Sequence, residues 1–138
     1  MISTTGMPPR LLRAYRQTRY EAAGILIFVG RRSSAMDALM RQHGARAGVF
    51  VTAWNPHSRL MPIGWNHRRQ RALLTRLRRR IAIQAEGRWR RWQEAHVLVL
   101  AEPAMVTHLA HSFRQNAVVV VRHGRETALH AVAGAVWR

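Results

Sequence analysis

The chain has 138 residues, 48 % of them hydrophobic, which suits one domain with a substantial core and argues against disorder. It contains no cysteine, which excludes disulfides, thiol catalysis and cysteine-ligated zinc or iron–sulfur centres and makes the cytoplasm the default compartment. Its formal net charge is +17, from 23 basic residues against 6 acidic ones, and a charge so far from zero attracts polyanions.

No apolar run reaches the length of a membrane helix, and residues 1–9 show no apolar signal core. We expect a single domain over residues 1–138, with 1–9 a flexible start. Pro8-Pro9 precede a helix expected over Arg10 to Tyr20, with Leu11, Leu12 and Tyr15 on one side. Ile25 to Val29 is an apolar run of strand length, broken by Gly30-Arg31-Arg32. Ser33 or Ser34 caps a second helix. Asp37 stands three residues after Ser34, a capping-box variant. Met36, Leu39, Met40 and His43 form the inner stripe of this helix, and Gly44 ends it.

Gly48 to Ala53 reads as a strand closed by Trp54-Asn55-Pro56, with a loop from His57 to Gly64. Asn66 is expected to cap a third helix reaching Arg80, with Leu73, Leu74, Leu77 and Ile81 inward and Asn66 and Gln70 on the same side. Gly87 to Glu94 is a basic, tryptophan-bearing connection with room for a short strand. Val97 to Leu100 is a strand, and Pro103 opens a helix carrying Met105, Leu109 and Phe113. Ala117 to Val121 is the last strong strand, Arg122 to Arg125 a turn, and Thr127 to Val136 a weak final strand.

This order gives an α+β fold, with one mixed sheet of four to five strands and three to four helices. Two topologies fit. An all-parallel sheet places Asn55 and Asn116 at opposite edges, whereas a ferredoxin-like mixed sheet brings Asn55, Glu94 and Asn116 to one edge. The mixed sheet is preferred because it gathers the polar signals.

The runs Thr18-Arg19-Tyr20, Thr52-Ala53-Trp54-Asn55-Pro56 with Ser58, Asn66, Trp92 with Glu94, and Phe113 with Gln115-Asn116-Ala117 span most of the chain in order. In these residues the chain resembles the small bacterial family called domain of unknown function 3293. The resemblance implies a stand-alone α+β domain and no particular activity. The chain departs from the family near Glu94, with Ala95 and His96 where proline and serine are usual. The arginine clusters fall mostly outside the shared runs.

Two surfaces are candidates for function. The first is a ligand cleft formed by Arg19, Trp54, Asn55, Asn66, Glu94, Gln115 and Asn116. Amides supply donors and acceptors and tryptophan a flat wall, as a polar planar ligand requires. Their plainer reading is turn capping and satisfaction of helix ends. One carboxylate does not support two-carboxylate chemistry, and nothing in the spacing forces His57 and Glu94 into an acid–base pair. The second is a polyanion surface of Arg68, Arg71, Arg76, Arg79 and Arg80 on the third helix, to which Arg88, Arg90 and Arg91, interleaved with Trp89 and Trp92, add a second patch where bases could stack. Arginines three and four apart repel on a helix, and phosphates would relieve this. The plainer reading is a basic surface shaped by composition: the absence of lysine points to a GC-rich coding sequence.

No zinc-finger, helix-turn-helix or RNA-recognition pattern is present. His108 and His111 lack further ligands at metal spacing. Gly30-Arg31-Arg32-Ser33-Ser34 lacks the glycines and lysine of a phosphate loop. The leading expectation is therefore a non-catalytic protein that contacts RNA, DNA or another polyanion through its arginines, with no cofactor or metal. The alternatives are a small-molecule-binding or enzymatic domain using the cleft, and a subunit that docks on an acidic protein. Oligomeric state is not legible.

Overall fold

A computed structural model describes residues 6–137. Pro9–Gln17 form α1, opened by Pro9 as expected of proline in a first turn. The helix stops three residues earlier than Tyr20, because Thr18 turns extended (φ −68°, ψ 135°) and its hydroxyl donates to the Ala14 carbonyl. Arg19–Ala22 then form β1, and Ile25–Ile27 form β2, its hairpin partner. Of the N-terminal stretch expected to be flexible, residues 1–5 lie outside the described residues, while Met7 packs against the core.

Ser34–Gln42 form α2. Ser33 is its cap, accepting from the Met36 amide at 3.1 Å. Asp37 is therefore no capping-box partner; it accepts from the Gly124 amide at 3.0 Å, fastening α2 to a distant turn. Met36 and Met40 are buried, whereas His43 is the exposed C-cap. Ala47–Val51 form β3, followed by a 3-10 turn at Pro56–Ser58. Ile63–Arg76 form α3, which begins after Pro62 and ends before Arg80. Asn66 is thus inside the helix and not its cap.

The stretch from 82 to 99 corrects the reading most. Ala82–Trp89 form β4 and Trp92–Val99 form β5, one long hairpin paired from Ala82↔Val99 to Trp89↔Trp92. Pro103–Ser112 form α4, Ala117–Arg122 form β6 and Ala128–Ala131 form β7.

The sheet has seven strands in the order β2-β1-β4-β5-β3-β6-β7, every neighbour antiparallel, and it curls into half of a barrel. It is not the ferredoxin-like sheet of four to five strands. One of its features survives: β3 lies between β5 and β6, so these two run parallel with α4 crossing between them. Alternation along the strands divides the core in two. Val49, Val51, Val97, Val99, Val118 and Val120 pack against Leu73 and Leu77 of α3 and Val106 and Leu109 of α4. Tyr20, Phe50, Leu98, Val119 and Val121 face the other way, against Met36 and Met40 of α2, with Leu12 and Tyr15 of α1 packed on this cluster. Because β3 ends where β5 and β6 begin, Asn55, Glu94 and Asn116 meet at one end of the sheet.

Candidate functional site

A cavity of about 330 Å³ lies between α1 and the sheet. Leu11, Ala14 and Tyr15 of α1 form one side, and Tyr20, Phe50 and Val119 of the sheet the other. Trp89, Trp92, Glu94 and His96 of the β4–β5 hairpin form a third wall, and Thr52, Asn55, Ser58, Gln115 and Asn116 close the end. Glu94 and His96 project to the same side because they are two apart on one strand. Gly87 makes the room they need: a Cβ there would stand 3.0 Å from His96 Cε1 and 3.2 Å from Tyr20 Cε1. Such contacts lie inside ordinary packing distance.

Of the seven residues expected to share a cleft, Asn55, Glu94, Gln115 and Asn116 line this cavity. Arg19 does not, because it points to the opposite face of β1 from Tyr20 and is exposed. Trp54 is packed edge-on against His67 at 5.6 Å, outside the lining. Asn66 stands behind the wall and supports it. Its Oδ1 accepts from the Asn55 amide and its Nδ2 donates to Asn55 Oδ1, both at 3.0 Å. Asn55 Oδ1 also accepts from the Met61 amide at 2.9 Å, and its Nδ2 donates to Glu94 Oε2 at 2.7 Å. Asn116 Nδ2 donates to Ser58 Oγ and the Val136 carbonyl, while its Oδ1 accepts from the Val136 amide. Gln115 Nε2 donates to the carbonyls of Trp54 and Phe113. These amides are committed to building the loop, and they hold it in an unusual shape. Asn55, His57 and Ser58 all have positive φ, at 48°, 51° and 61°. Left-handed non-glycine residues persist where surrounding bonds over-determine them, and they cluster at functional sites.

Glu94 differs from the amides. It is 6 % exposed, and Asn55 is the one described side chain bonded to its carboxyl. Burial pushes its pKa up to about 8, against the opposing hydrogen bond from Asn55. The acid is therefore mostly neutral at pH 7, offering one O–H donor and one acceptor oxygen. Burial pushes His96 the other way, down to about 4, opposed by its bond to the Glu94 carbonyl. His96 Nδ1 lies 3.2 Å from that carbonyl oxygen, which can only accept, so Nδ1 carries the proton and Nε2 is the free lone pair. Tyr15 is pushed up to about 12, first by burial and then by the nearby Glu94 charge. Tyr20 is raised well above the usual phenol value, by burial first and then by Tyr15, with Thr18 opposing and Glu94 adding. The cavity thus holds a neutral acid, a neutral imidazole and two protonated phenols among apolar walls.

The sequence reading missed Tyr15, Tyr20, Thr52, Trp89, Trp92 and His96 as members of this cavity. Tyr20 lay in the expected first helix, and the tryptophans were assigned to a basic patch. The signal available was the period-two spacing of Trp92, Glu94 and His96 leading into the β5 apolar run.

The arginines are exposed at Arg68, Arg71, Arg76, Arg79, Arg80, Arg88, Arg90 and Arg91. Those just before β4 and those at the hairpin tip are separate patches. Arg76 to Arg80 precede β4 and Arg90-Arg91 follow it, so eight residues of strand, roughly 25 Å, separate them. Among the described residues the one ion pair is Arg32–Asp37 at 3.8 Å. No helix of the described residues is long and apolar enough to cross a membrane.

These features define an α+β domain with a seven-stranded antiparallel sheet and a cavity built around one buried carboxyl. Residues 51–118 match the family described as "Protein of unknown function (DUF3293)", and this stretch is a domain of that family. The matched stretch runs from the end of β3 through the hairpin to the start of β6, and so includes the Asn55 loop and Glu94. No curated protein and no solved structure matches the chain.

Proposed function

We propose that this is a cytoplasmic small-molecule-binding domain whose ligand sits in the cavity between α1 and the sheet, hydrogen-bonded to Glu94. The observation that carries the reading is a carboxyl group on the wall of a mainly apolar cavity, 6 % exposed and with one partner among the described residues. A buried acid left this way costs stability, and such groups cluster at sites that bind ligands or carry reactions. The cavity volume lies at the lower end of the range typical of small-molecule sites. Large apolar side chains at its mouth remain exposed, Leu60 at 84 % and Trp92 at 38 %, as a surface that meets a ligand would be. The test is a ligand-observed NMR screen of small planar fragments. Hits are expected to bind wild type and to be lost on Ala14→Phe, which fills the cavity from α1. Absence of any hit, or hits unaffected by Ala14→Phe, would refute the reading.

A second reading is favoured by a separate observation. The exposed arginines of α3 and of the segment after it have no acidic partner among the described residues. This supports contact with a polyanion, whether RNA, DNA or an acidic protein, through Arg68, Arg71, Arg76, Arg79 and Arg80. The contact is electrostatic and carries no sequence preference of its own.

A further inference from the structure

We propose that the cavity takes a nucleoside phosphate, with its base between the aromatic walls against Glu94 and its phosphate at the arginine tip of the β4–β5 hairpin. The inference rests on the small-molecule reading of the cavity and names the ligand class. Three observations converge on it.

The walls are aromatic on several sides: Tyr15 and Tyr20 inside, Trp89 and Trp92 at the hairpin end. Flat faces of this kind stack on any base. The polar edge is specific. Glu94 Oε2 already accepts a proton from Asn55, so the acid proton belongs on Oε1, and Oε2 keeps one lone pair for a ligand. A neighbouring donor and acceptor match a ring nitrogen beside an exocyclic amino group. Adenine presents that pair at N1 and N6, and cytosine at N3 and N4. At the same edge guanine and uracil present an N–H in place of the ring acceptor, and the N3 and N2 pair of guanine lies beside its sugar.

The third observation is the tip. Arg90 and Arg91 form the turn between Trp89 and Trp92, so two arginines follow directly on two lining residues of the cavity. The Arg90 guanidinium lies 4.7 Å from the centre of the Trp89 ring. Both arginines are exposed, and neither has an acidic partner among the described residues. Glu94 is three residues from Arg91, roughly 10 Å along the strand, a separation that a nucleotide with its base at Glu94 and its phosphate at the tip can bridge. An organic amine would also answer the lone carboxyl. It is the poorer match, because it must enter past two arginines on a chain of net charge +17.

The experiment is a titration followed by tryptophan fluorescence and NMR, using AMP, CMP, GMP, UMP, adenosine and ribose 5-phosphate at pH 6.5 and 9. AMP and CMP are expected to bind at pH 6.5 at least ten-fold more tightly than GMP, UMP or ribose 5-phosphate, and to weaken at pH 9. Arg90→Ala with Arg91→Ala should weaken AMP about ten-fold and leave adenosine unchanged. Glu94→Gln retains a donor beside an acceptor, so it should keep AMP binding at both pH values, whereas Glu94→Ala loses it. A single-stranded RNA hexamer ending in adenosine separates the sources: competition weaker than that of AMP identifies the free nucleotide, and tighter competition identifies a strand end. Equal binding of all four nucleotides, or of ribose 5-phosphate, would overturn the proposal. If planar fragments bind the cavity and no nucleotide displaces them, the nucleotide assignment fails and the small-molecule reading stands. If neither binds, both fail.

Discussion

Two side chains on one strand hold their protons in the reverse of the solution order. Glu94 ionises near 8 and His96 near 4, against ordinary values of 4.5 and 6.5, because burial penalises the charged form of each. The consequences for stability have opposite signs. Glu94 binds its proton more tightly when folded, so its effect is absent below about pH 4.5 and lowers stability as pH rises toward 8. His96 binds its proton less tightly when folded, so it costs stability as pH falls from 6.5 toward 4. Between 4.5 and 6.5 the two oppose each other. Between 6.5 and 8 Glu94 acts alone, and stability should fall by about 2 kcal/mol over that interval. Urea denaturation at several pH values checks this. The fall should vanish in Glu94→Gln, and the same slope in that variant would assign it elsewhere. Glu94 stood out at the residue scale, since it is a lone acid among arginines and tryptophans. The depth of its burial was not legible, because burial depends on α1 and β1 closing over it, and the first two residues of β1 fell inside the expected helix.

The loop after β3 shows how the elements share the task. Its amides looked like ligand contacts and in the structure mostly bind the protein. Gln70 Oε1 accepts from the Ala53 amide at 2.9 Å, Asn66 brackets Asn55, and Asn116 clamps the segment around Val136. Their product is a fixed orientation for one carboxyl. Asn55 carries two roles, a left-handed backbone at φ 48° and a side chain bonded on both ends. Asn55→Gly keeps the backbone and loses the bonds, whereas Asn55→Ala loses both. Both should destabilise by about 2 kcal/mol or more, with Ala worse than Gly by roughly 1 kcal/mol. Thermal melts compare the pair; Ala at least as stable as Gly would show that the backbone is not held there. Element boundaries were partly legible. The strong apolar runs of β3, β5 and β6 and the proline-opened α4 stood out. The β4 strand did not, because its eight residues include Gly87, Glu86, Gln84 and Arg88 and only two are buried. Strands half open to solvent carry little hydrophobic signal. Losing β1 and β4 turned seven strands into four or five and suggested the ferredoxin-like sheet.

At the scale of the whole molecule, the charge and the cavity are separate properties that meet at the hairpin tip. The arginines from Arg76 to Arg80 and those at the hairpin tip flank opposite ends of β4, roughly 25 Å apart and beyond a Debye length at physiological salt, so their fields are largely independent. Charge reversal at Arg71, Arg76 and Arg79 should abolish any binding of single-stranded RNA or duplex DNA that falls steeply with salt, and leave fragment binding in the cavity intact. Filter binding across a salt series checks it. RNA binding retained in the triple variant would remove α3 from the polyanion reading. Net charge was legible from composition alone. Two arginine patches were legible as well; the distance between them was not, because it depends on the length of β4.

The most direct measurement of the central claim, a neutral acid at the heart of a ligand cavity, is the carbon-13 NMR titration of the Glu94 side-chain carboxyl, assigned by its absence in Glu94→Gln. A midpoint near 8 is the expected result. A midpoint near the ordinary 4.5 would mean that the carboxylate is solvated, and the cavity would lose the group on which its proposed function depends.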